Sequence, residues 1–544
     1  MINTIIKYIT WVLALTSCSL LLAQEPATVP CTKNYYSFDY FYRSNFWLQG
    51  NNAAGLMFNN KALEPINAYT QFDGTLAYND GPFRNIFTPA SEQQYKLNAA
   101  SYMKFNKIYL YGNFTYDYNF RKEVQWNGVL NPYSSPFMLA DSIKGNQTLE
   151  RFSLDAGIAL PINKYFTAGV FMDYTVASAA KLKDLRNKNT YMNFQIRPAM
   201  LFHSDHWNLG LNFMYERTTE KIEYMQYEGS TAKTVFYLSG SWFYIEKAFS
   251  STSGEKRQKS DDRLGGSFQV EFKTGDFKFY NEFSLSYRDA ILSETGYLNQ
   301  QYGDTETSDF RYDGKMSYKN KHRLTGYIAT SSMLGYKVIQ RYERHPVYPT
   351  IFWWITYDRL NSYLRNTVDY EVAYSFDQTR SECNNTWNLT LGMKGYSIEN
   401  AYILYPLKYV QEWNYTESFI SFNKNFLMKS GMLDINPNMG RGWGSGTMND
   451  MRIMNGMTLE EIETYMPLPE EPWQLSAPLA AEFAFMTADR LNVGFRCRYT
   501  HFLNKNKGSN LYGDFRYNYS YALSDNLLKD THRSYFTLTV GLSF

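Results

Sequence analysis

Four methionines are the residues whose type and spacing point most directly to chemistry. Met448, Met451, Met454 and Met457 recur at every third position. Thioether sulfur is a soft ligand that suits Cu(I), so this spacing is compatible with a copper site. The same spacing also gives an apolar stripe on a short helix, and methionine fills irregular gaps in packed cores. A copper site and ordinary packing therefore stay open as two interpretations of this segment.

Other candidate catalytic sets in the sequence are incomplete. His203 and His206 have a spacing that can bind a metal, but no cysteine or further histidine lies close to them in the sequence. The glycine run at 440–446 lacks the Gly-Lys-Ser/Thr that ends a phosphate-binding loop. The sequence also has no Gly-x-Ser-x-Gly motif of a serine hydrolase. We therefore predict no catalytic residues, no cofactor and no enzymatic activity.

Charged side chains of both signs form the largest candidate set. They alternate with apolar residues, and we expect them to face a water-filled barrel interior, because such a charge facing lipid costs about 2–4 kcal/mol at the membrane midplane. In that interior they either stabilise the wall through ion pairs or line a selective path for a polar solute. These lumen-lining candidates are Arg151, Asp155, Arg197, Glu271, Lys273, Glu282, Arg288, Arg311, Asp313, Lys315, Asp369, Glu371, Arg496 and Arg498.

The elements that position these charges are predicted to be strands. Apolar residues recur at every second position, as in Phe152, Leu154, Ala156, Ile158 and Leu160. A mean hydropathy of -0.46 excludes a bundle of membrane helices, and a hydrophobic fraction of 44% excludes disorder. The net charge of +2, without a basic block, makes nucleic acid an unsuitable partner.

The connections between the strands alternate in length, which is typical of transmembrane barrels with short periplasmic turns and long extracellular loops. Short turns are predicted at 105–107, 161–164, 204–206, 275–276, 319–321 and 487–490. Long loops are predicted at 121–147, 178–189, 219–261, 291–307, 341–360, 441–474 and 504–532. We predict an all-β, up-and-down antiparallel transmembrane β-barrel of about 18 strands with both ends periplasmic, and counts of about 14 or 16 stay open.

The regions before the barrel are predicted to have separate roles. Residues 1–23 resemble a secretory signal peptide, residues 24–67 form an N-terminal plug or periplasmic arm, and residues 68–544 form the barrel. A lipoprotein cleavage box ending at Cys18 is the alternative for export. Cys31 and Cys383 either form one disulfide or stay free thiols.

Aromatic residues close to strand ends are predicted to form girdles at the membrane interface. This set comprises Tyr109, Tyr111, Trp126, Trp207, Trp242, Trp387 and Trp413. The run at 348–355 either continues a strand above the membrane or forms an exposed patch for a partner or an apolar solute.

Two segments resemble known families. The alternating Phe536, Leu538, Val540, Leu542 and Phe544 resemble the C-terminal insertion signal of bacterial outer-membrane barrels. The segment at 46–56, Phe-Trp-Leu-Gln-Gly-Asn-Asn-Ala-Ala-Gly-Leu, resembles the Asn-Pro-Ala-Gly-Leu/Met segment of the long-chain fatty-acid transporter superfamily, with Ala53 in place of proline. That second resemblance implies about 14 strands and a plugged lumen. Across most of its length the chain is similar to an uncharacterised outer-membrane barrel family of Bacteroides-type bacteria, which implies a location in the outer membrane.

These observations favour a channel or transport-associated barrel that passes or captures a solute through a plugged polar lumen. The alternative is a surface scaffold whose loops bind a lipoprotein, a polysaccharide or a secretion partner while the lumen stays closed. An intramembrane hydrolase ranks third. The expected partners are outer-membrane lipid, the barrel-assembly machinery, and a surface lipoprotein or small solute.

Overall fold

The computed structural model describes residues 42, 45–59, 68–227, 231–249, 254–295, 300–345, 347–348, 350–381, 384–405, 407–449, 452–453, 473–504 and 509–544. The signal peptide predicted at 1–23, both Cys31 and Cys383, and three of the four candidate copper ligands, Met451, Met454 and Met457, lie outside these residues.

The described chain is almost entirely β-strand, with one α-helix and three short 3-10 helices. The 3-10 helices are Phe46–Gln49, Ala53–Asn59 and Pro132–Ser134, and the α-helix, α1, is Ser476–Met486. The strands are β1 Ala68–Asp80, β2 Ser91–Phe105, β3 Ile108–Val124, β4 Phe137–Ala140, β5 Gly145–Pro161, β6 Phe166–Lys181, β7 Arg186–His203, β8 Trp207–Met225, β9 Lys233–Ser239, β10 Phe243–Phe249, β11 Glu255–Thr274, β12 Phe277–Glu294, β13 Gln301–Tyr318, β14 His322–Arg344, β15 Phe352–Ser381, β16 Asn384–Tyr402, β17 Leu407–Leu427, β18 Gly431–Met448, β19 Arg452–Ile453, β20 Trp473–Gln474, β21 Arg490–Asn504, β22 Ser509–Ala522 and β23 His532–Ser543.

The wall is a closed antiparallel barrel of 18 strands, made by all strands except β4, β9, β10, β19 and β20. Each wall strand pairs with its neighbours along the chain, and β1 closes the barrel against β23 from Gln71 opposite Ser543 to Asp80 opposite Ser534. The predicted fold class and the count of 18 are confirmed. The count of about 14 implied by the fatty-acid transporter resemblance is wrong.

The outer face of the wall is apolar. On β5, Phe152, Leu154, Ile158 and Leu160 are between 41% and 46% exposed, and they alternate with polar residues that face inward. On β23, Phe536, Leu538, Val540 and Leu542 point outward in the same way, with exposures between 37% and 55%. A belt of this kind is the surface that a transmembrane barrel presents to lipid.

Some of the predicted connections are wrong. Residues 487–490 are not a short turn but the end of a long connection that leads from β18 through α1 to β21. The predicted loop at 504–532 contains β22, which pairs with both β21 and β23. The alternation of β22 is hard to recognise because tyrosine occurs on both faces: Tyr512 is buried inside, whereas Tyr517 is 39% exposed.

The end of the barrel with the long connections, here called the loop end, carries a small cap. The cap is a four-stranded sheet in the order β20, β10, β9, β4, together with the 3-10 helix Pro132–Ser134 and α1. Its core joins residues from several connections, namely Phe87, Trp126, Ala140, Leu238, Trp242, Phe243 and Leu479, with Tyr402, Leu407 and Tyr409 of the wall. The other end, here called the turn end, carries the short turns.

None of the described helices is both long enough and apolar enough to span a bilayer.

Candidate functional site

A short inner segment, residues 45–59, lies inside the barrel near the turn end. Two asparagines shape it: the Asn45 side chain accepts a hydrogen bond from the Trp47 backbone N–H at 3.0 Å, and the Asn52 side chain accepts one from the Ala54 N–H at 3.0 Å. Such short-range bonds start the two 3-10 helices without help from a neighbouring strand. Trp47, Ala53, Ala54 and Leu56 are buried.

Three glycines of the wall allow the inner segment to approach the strands closely. A side chain at Gly169 of β6 would meet the backbone nitrogen of Ala54 at 2.6 Å. A side chain at Gly210 of β8 would lie 2.7 Å from the Asn52 amide, and one at Gly157 of β5 would contact Leu56 at 3.1 Å. The absence of side chains at these three glycines therefore leaves room for residues 52–56 against the wall.

Two buried glutamates of the wall hold the inner segment by hydrogen bonds. Glu271 Oε2 accepts bonds from Trp47 Nε1 at 2.7 Å and from Asn208 at 2.5 Å. Glu282 Oε1 accepts bonds from the Asn51 side chain at 2.9 Å and from its backbone N–H at 3.2 Å. Hydrogen bonds to a charged acceptor contribute about 1.5–3 kcal/mol each.

Arg197 and Gln269 complete this network. Arg197 Nη1 donates to Asn51 Oδ1 at 2.7 Å, while its Nη2 pairs with Asp173 at 2.5 Å. Asn52 Nδ2 donates to Gln269 Oε1 at 3.0 Å. Lys273 and Lys315, also among the predicted lumen residues, lie over the Phe58 and Tyr280 rings, each at 5.4 Å. Five of the predicted lumen residues are thus brought together around the inner segment: Arg197, Glu271, Lys273, Glu282 and Lys315.

The other predicted lumen residues lie elsewhere on the inner face of the wall. Several form ion pairs, either with a neighbouring strand, as Arg288 does with Asp261 at 3.7 Å and Arg496 and Arg498 do with Asp514, or within one strand, as Arg311 does with Asp313 at 2.7 Å. Asp155 accepts a hydrogen bond from Asn113 at 2.9 Å. Arg151 alternates with the outward-facing Phe152, and Asp369 and Glu371 alternate with the outward-facing Val372. Most of these charged side chains of the lumen wall therefore pair with an opposite charge on the wall.

The cap is fastened to the wall by a buried ion pair. Lys181 Nζ, at the end of β6, contacts Asp141 Oδ1 at 2.5 Å and also donates to the Ile143 carbonyl. The two side chains are 2% and 4% exposed. Burial raises the pKa of Asp141, and the neighbouring lysine opposes this shift. Because the pair has almost no access to water, loss of one partner would leave an uncompensated buried charge.

Glycines of the wall also bring the cap close to the strands. An added side chain at Gly303 of β13 would meet the Phe137 ring at 2.6 Å, and one at Gly335 of β14 would meet Pro136 at 2.9 Å. The glycine run at 440–446, predicted to open a loop, instead belongs to β18. A side chain at Gly444 would overlap the Thr487 backbone just after α1. The sequence signal for this contact was the alternation of glycine along a strand, which marks close approach of another backbone.

Three of the predicted girdle tryptophans are buried inside the molecule. Trp126 and Trp242 pack in the cap core, and Trp413 lies on the inner face of β17 at 2% exposure. Tyr109 is also buried, against Leu48 and Leu56 of the inner segment. The girdle prediction is wrong for these four residues, because tryptophan and tyrosine also fill the cores of the cap and lumen. Trp207 points outward and is 48% exposed.

A cavity of about 50 Å³ lies between the cap and the wall. Glu482 of α1 lies beside it and accepts hydrogen bonds from Tyr133 Oη at 2.7 Å and Trp242 Nε1 at 2.6 Å. Burial raises the pKa of Glu482, while its hydrogen bonds and the Arg365 guanidinium oppose the shift. Burial, and secondarily Glu482, raises the pKa of Tyr133 well above its usual value. This cavity was not predicted from the sequence, since its lining comes from eight separate parts of the chain.

Only one of the four candidate copper ligands lies among the described residues. Met448 is the last residue of β18 and is 44% exposed, and its three companions lie outside the described residues. Within the part of the chain that the structure describes, no group of three or more His, Cys, Asp or Glu residues could hold a metal ion. The copper site stays a prediction.

Comparison with known proteins gives one matching family and several similar solved structures. Residues 53–544 match the model of a family described as a family of unknown function, DUF6850. No curated protein matches the sequence. Similar solved structures include the ferric preacinetobactin receptor BauA from Acinetobacter baumannii, with 8% identity, coverage of 88% of this chain and 80% of the receptor, and a TM-score of 0.36.

Two further structures are similar to the same degree. The copper transporter OprC is 8% identical over 87% of this chain and 82% of its own, with a TM-score of 0.38. The open form of the ferric-catecholate import receptor Fiu from E. coli K12 is 8% identical over 88% and 81%, with a TM-score of 0.36. None of these three structures is a fatty-acid transporter.

Proposed function

The chain belongs to DUF6850, a family of unknown function, and on that premise we propose that it is an outer-membrane barrel that passes or captures a solute through a polar lumen closed at both ends. Residues 1–23 serve as its export signal, and the inner segment is part of an N-terminal plug. Its partners are outer-membrane lipid and the barrel-assembly machinery, which recognises the alternating C-terminal strand.

The observation that carries this proposal is the way the two ends are closed. The inner segment and the cap contact the wall mainly through side chains, as in Trp47 to Glu271 and Lys181 to Asp141. Neither adds a strand to the barrel, so either can move without breaking a wall pairing. Side-chain contacts of this type permit local opening at a lower free-energy cost than unfolding of the wall.

The lumen between the two closures is polar and suits a hydrophilic solute. Arg263 of β11 bridges Glu216 of β8 at 3.4 Å and Asp309 of β13 at 3.0 Å, and these side chains are between 19% and 29% exposed. Charges of both signs occur together, so the lining does not strongly select one sign of ion by its net field.

A test of the proposal locks the inner segment to the wall. In a background in which Cys31, Cys383 and Cys497 are replaced by serine, Asn52→Cys and Gln269→Cys place two thiols where the native side chains are 3.0 Å apart. Oxidation with copper-phenanthroline would join them in a disulfide. Swelling of proteoliposomes in sugars, amino acids and small organic ions then measures passage before and after cross-linking.

We expect at least one solute class to enter faster through the unlocked protein than through the locked protein. The single variant Gln269→Cys, treated with the same reagent, is the matched control and should behave as the unlocked protein. Entry no faster than into protein-free liposomes, for every solute class and in both states, would overturn the proposal.

The alternative, a surface scaffold, is favoured by the hairpin of β14 and β15. These strands extend beyond their neighbour: β16 pairs with β15 only from Tyr363 onward, so residues 352–362 pair with β14 alone. Tyr342, Phe352, Trp353 and Tyr357 are between 41% and 53% exposed there. Within the run at 348–355, residues 352–355 therefore extend a strand, and the exposed aromatic side chains around them form a patch that a protein or polysaccharide partner could cover. Solute entry no faster than into protein-free liposomes in the swelling test would support this role.

A further inference from the structure

The cavity below the cap has more hydrogen-bond donors than the protein satisfies. Gln411 and Trp413 of β17 line it and are 1% and 2% exposed. Within the described part of the chain, Gln411 Nε2 and Trp413 Nε1 have no hydrogen-bond partner, and neither does the Ser241 hydroxyl on the cap side. A buried donor without a partner costs about 1–3 kcal/mol, so its presence at a cavity calls for an acceptor from outside the protein.

A guanidinium group faces the same cavity. Arg365 of β15 lines it and stacks on the Tyr133 ring at 4.5 Å. Arg365 takes part in none of the ion pairs among the residues that the structure describes, and its charge acts on Glu482 only through space. The nearest buried acid of the cavity, Glu482, already accepts bonds from Tyr133 and Trp242, and burial disfavours its negative charge. The cavity therefore combines one cation with two or three unused donors.

Much of the remaining lining is apolar. Phe87 stacks on Trp242 with ring centroids 5.2 Å apart, and Met138, Leu238 and Met333 complete the walls. Ser241 and Trp242 both have positive φ angles, 47° and 62°, in the tight turn between β9 and β10 that brings them to the cavity. Non-glycine residues held in this region of φ are costly and occur often at ligand sites.

We propose that this cavity binds the carboxylate of a small organic acid, with its oxygens toward Gln411, Trp413 and Arg365 and its short carbon chain toward Phe87, Met138 and Met333. The cavity of about 50 Å³ has room for about four heavy atoms, on the basis of about 10–15 Å³ for each water-sized group. This size fits a carboxylate with one or two carbons, either as a whole solute or as the end of a longer one.

The site goes beyond the proposed function, because binding at the cap does not require that anything crosses the lumen. The two claims therefore fail independently: the swelling test reports passage, and a binding test reports the cavity.

The binding test uses the full chain in nanodiscs and saturation-transfer NMR with acetate and propionate as probes. Propionamide is the neutral control of equal shape. We expect saturable binding of both acids and no binding of the amide at the same concentrations, because only the acids carry a negative charge for Arg365 to compensate.

Three substitutions locate the site. Trp413→Phe removes the indole N–H and keeps most of the ring, Gln411→Met removes the amide donors at similar size, and Arg365→Met removes the charge. Each should weaken binding of the acids at least about tenfold, which is the effect of one lost hydrogen bond to a charged group. Trp207→Phe, on the outer face near the turn end, is the matched control and should bind as the native protein does.

Each variant must first show the heat-dependent shift in gel mobility of a folded barrel. Binding of propionamide as tight as that of propionate would overturn the carboxylate assignment. Absence of acid binding, or binding that none of the three variants weakens, would overturn the site itself and indicate that water satisfies the donors.

Discussion

Single glycines decide whether the inner segment can lie against the wall. Gly157, Gly169 and Gly210 lie on β5, β6 and β8, and at Gly169 an added Cβ would be 2.6 Å from the Ala54 nitrogen and 2.8 Å from the Ala53 carbonyl carbon. Backbone atoms cannot rotate away as the end of a side chain can. The closeness of this contact therefore depends on the absence of a side chain at position 169.

Gly169→Val should displace the inner segment from the lumen. The inserted methyl groups overlap backbone at residues 53–54, and strand pairing in the wall leaves the segment as the part that can move. A cysteine at Asn52, in the cysteine-free background, should then react with a water-soluble maleimide faster than in the glycine parent.

Gly112→Val is the matched control, because an added Cβ there has nothing within 4 Å. It should leave the reactivity at position 52 unchanged. Equal reactivity in the parent and in the Gly169 variant would show that the wall, rather than the inner segment, accommodates the larger side chain.

At the scale of elements, the cap is the part whose stability depends on a few polar contacts. Its strands β4, β9 and β10 are only four to seven residues long, and such short strands are marginally stable alone. Their aromatic core packs on the wall, as in the stack of Phe243 on Tyr402 with centroids 3.9 Å apart. The buried pair of Lys181 and Asp141 adds a specific attachment at the β4 end.

Lys181→Met should loosen the cap. Removal of one partner of a buried pair costs about 3–5 kcal/mol, because it leaves the Asp141 charge without compensation. A loss of about 3 kcal/mol corresponds to an opening equilibrium more than about a hundredfold more favourable. Hydrogen–deuterium exchange of peptides from 233–249 should therefore become faster in this variant.

Lys144→Met serves as the control for that experiment. Lys144 pairs with Glu123 at 3.2 Å, but both side chains are more than half exposed, and such pairs contribute about 0–1 kcal/mol. Exchange in the cap should stay at the native rate. If Lys181→Met also leaves exchange unchanged, the apolar core alone holds the cap.

At the scale of the whole molecule, the inner segment and the cap lie at opposite ends of the same barrel, and the proposed function has each of them closing the lumen. The inner segment contacts residues near the turns before β8 and β12, such as Glu271 and Tyr280, whereas the cap contacts the ends of β6, β16 and β17. A solute that crosses the barrel must pass both. Two closures in series predict that opening one of them is not enough for passage.

In planar bilayers, the Gly169→Val and Lys181→Met variants should each conduct as rarely as the native protein, and the double variant should conduct frequently. The effect should exceed the sum of the single effects because each closure blocks the path alone. Frequent conduction in either single variant would show that only one end limits the lumen.

The sequence by itself determined the wall. Alternation of apolar and polar residues in strands such as β5 and β23 has only one solution in a membrane, a closed barrel with its polar face inside, because lipid cannot satisfy an open strand edge. The inward direction of the charged candidates followed from the same alternation, which is local and readable.

Only the tertiary structure decided what lies at the two ends of the lumen. The cap and its cavity are built from Tyr133, Trp242, Tyr363, Trp413 and Glu482, which are separated along the chain by up to hundreds of residues. Helix α1 has few polar residues that would mark one of its faces as exposed, so its periodicity could not reveal it. The tryptophans buried in the cap cannot be distinguished in the sequence from tryptophans of an interface girdle. Contacts between distant residues depend on loop packing and leave no period in the sequence, and for that reason the candidate binding site emerged only from the folded molecule.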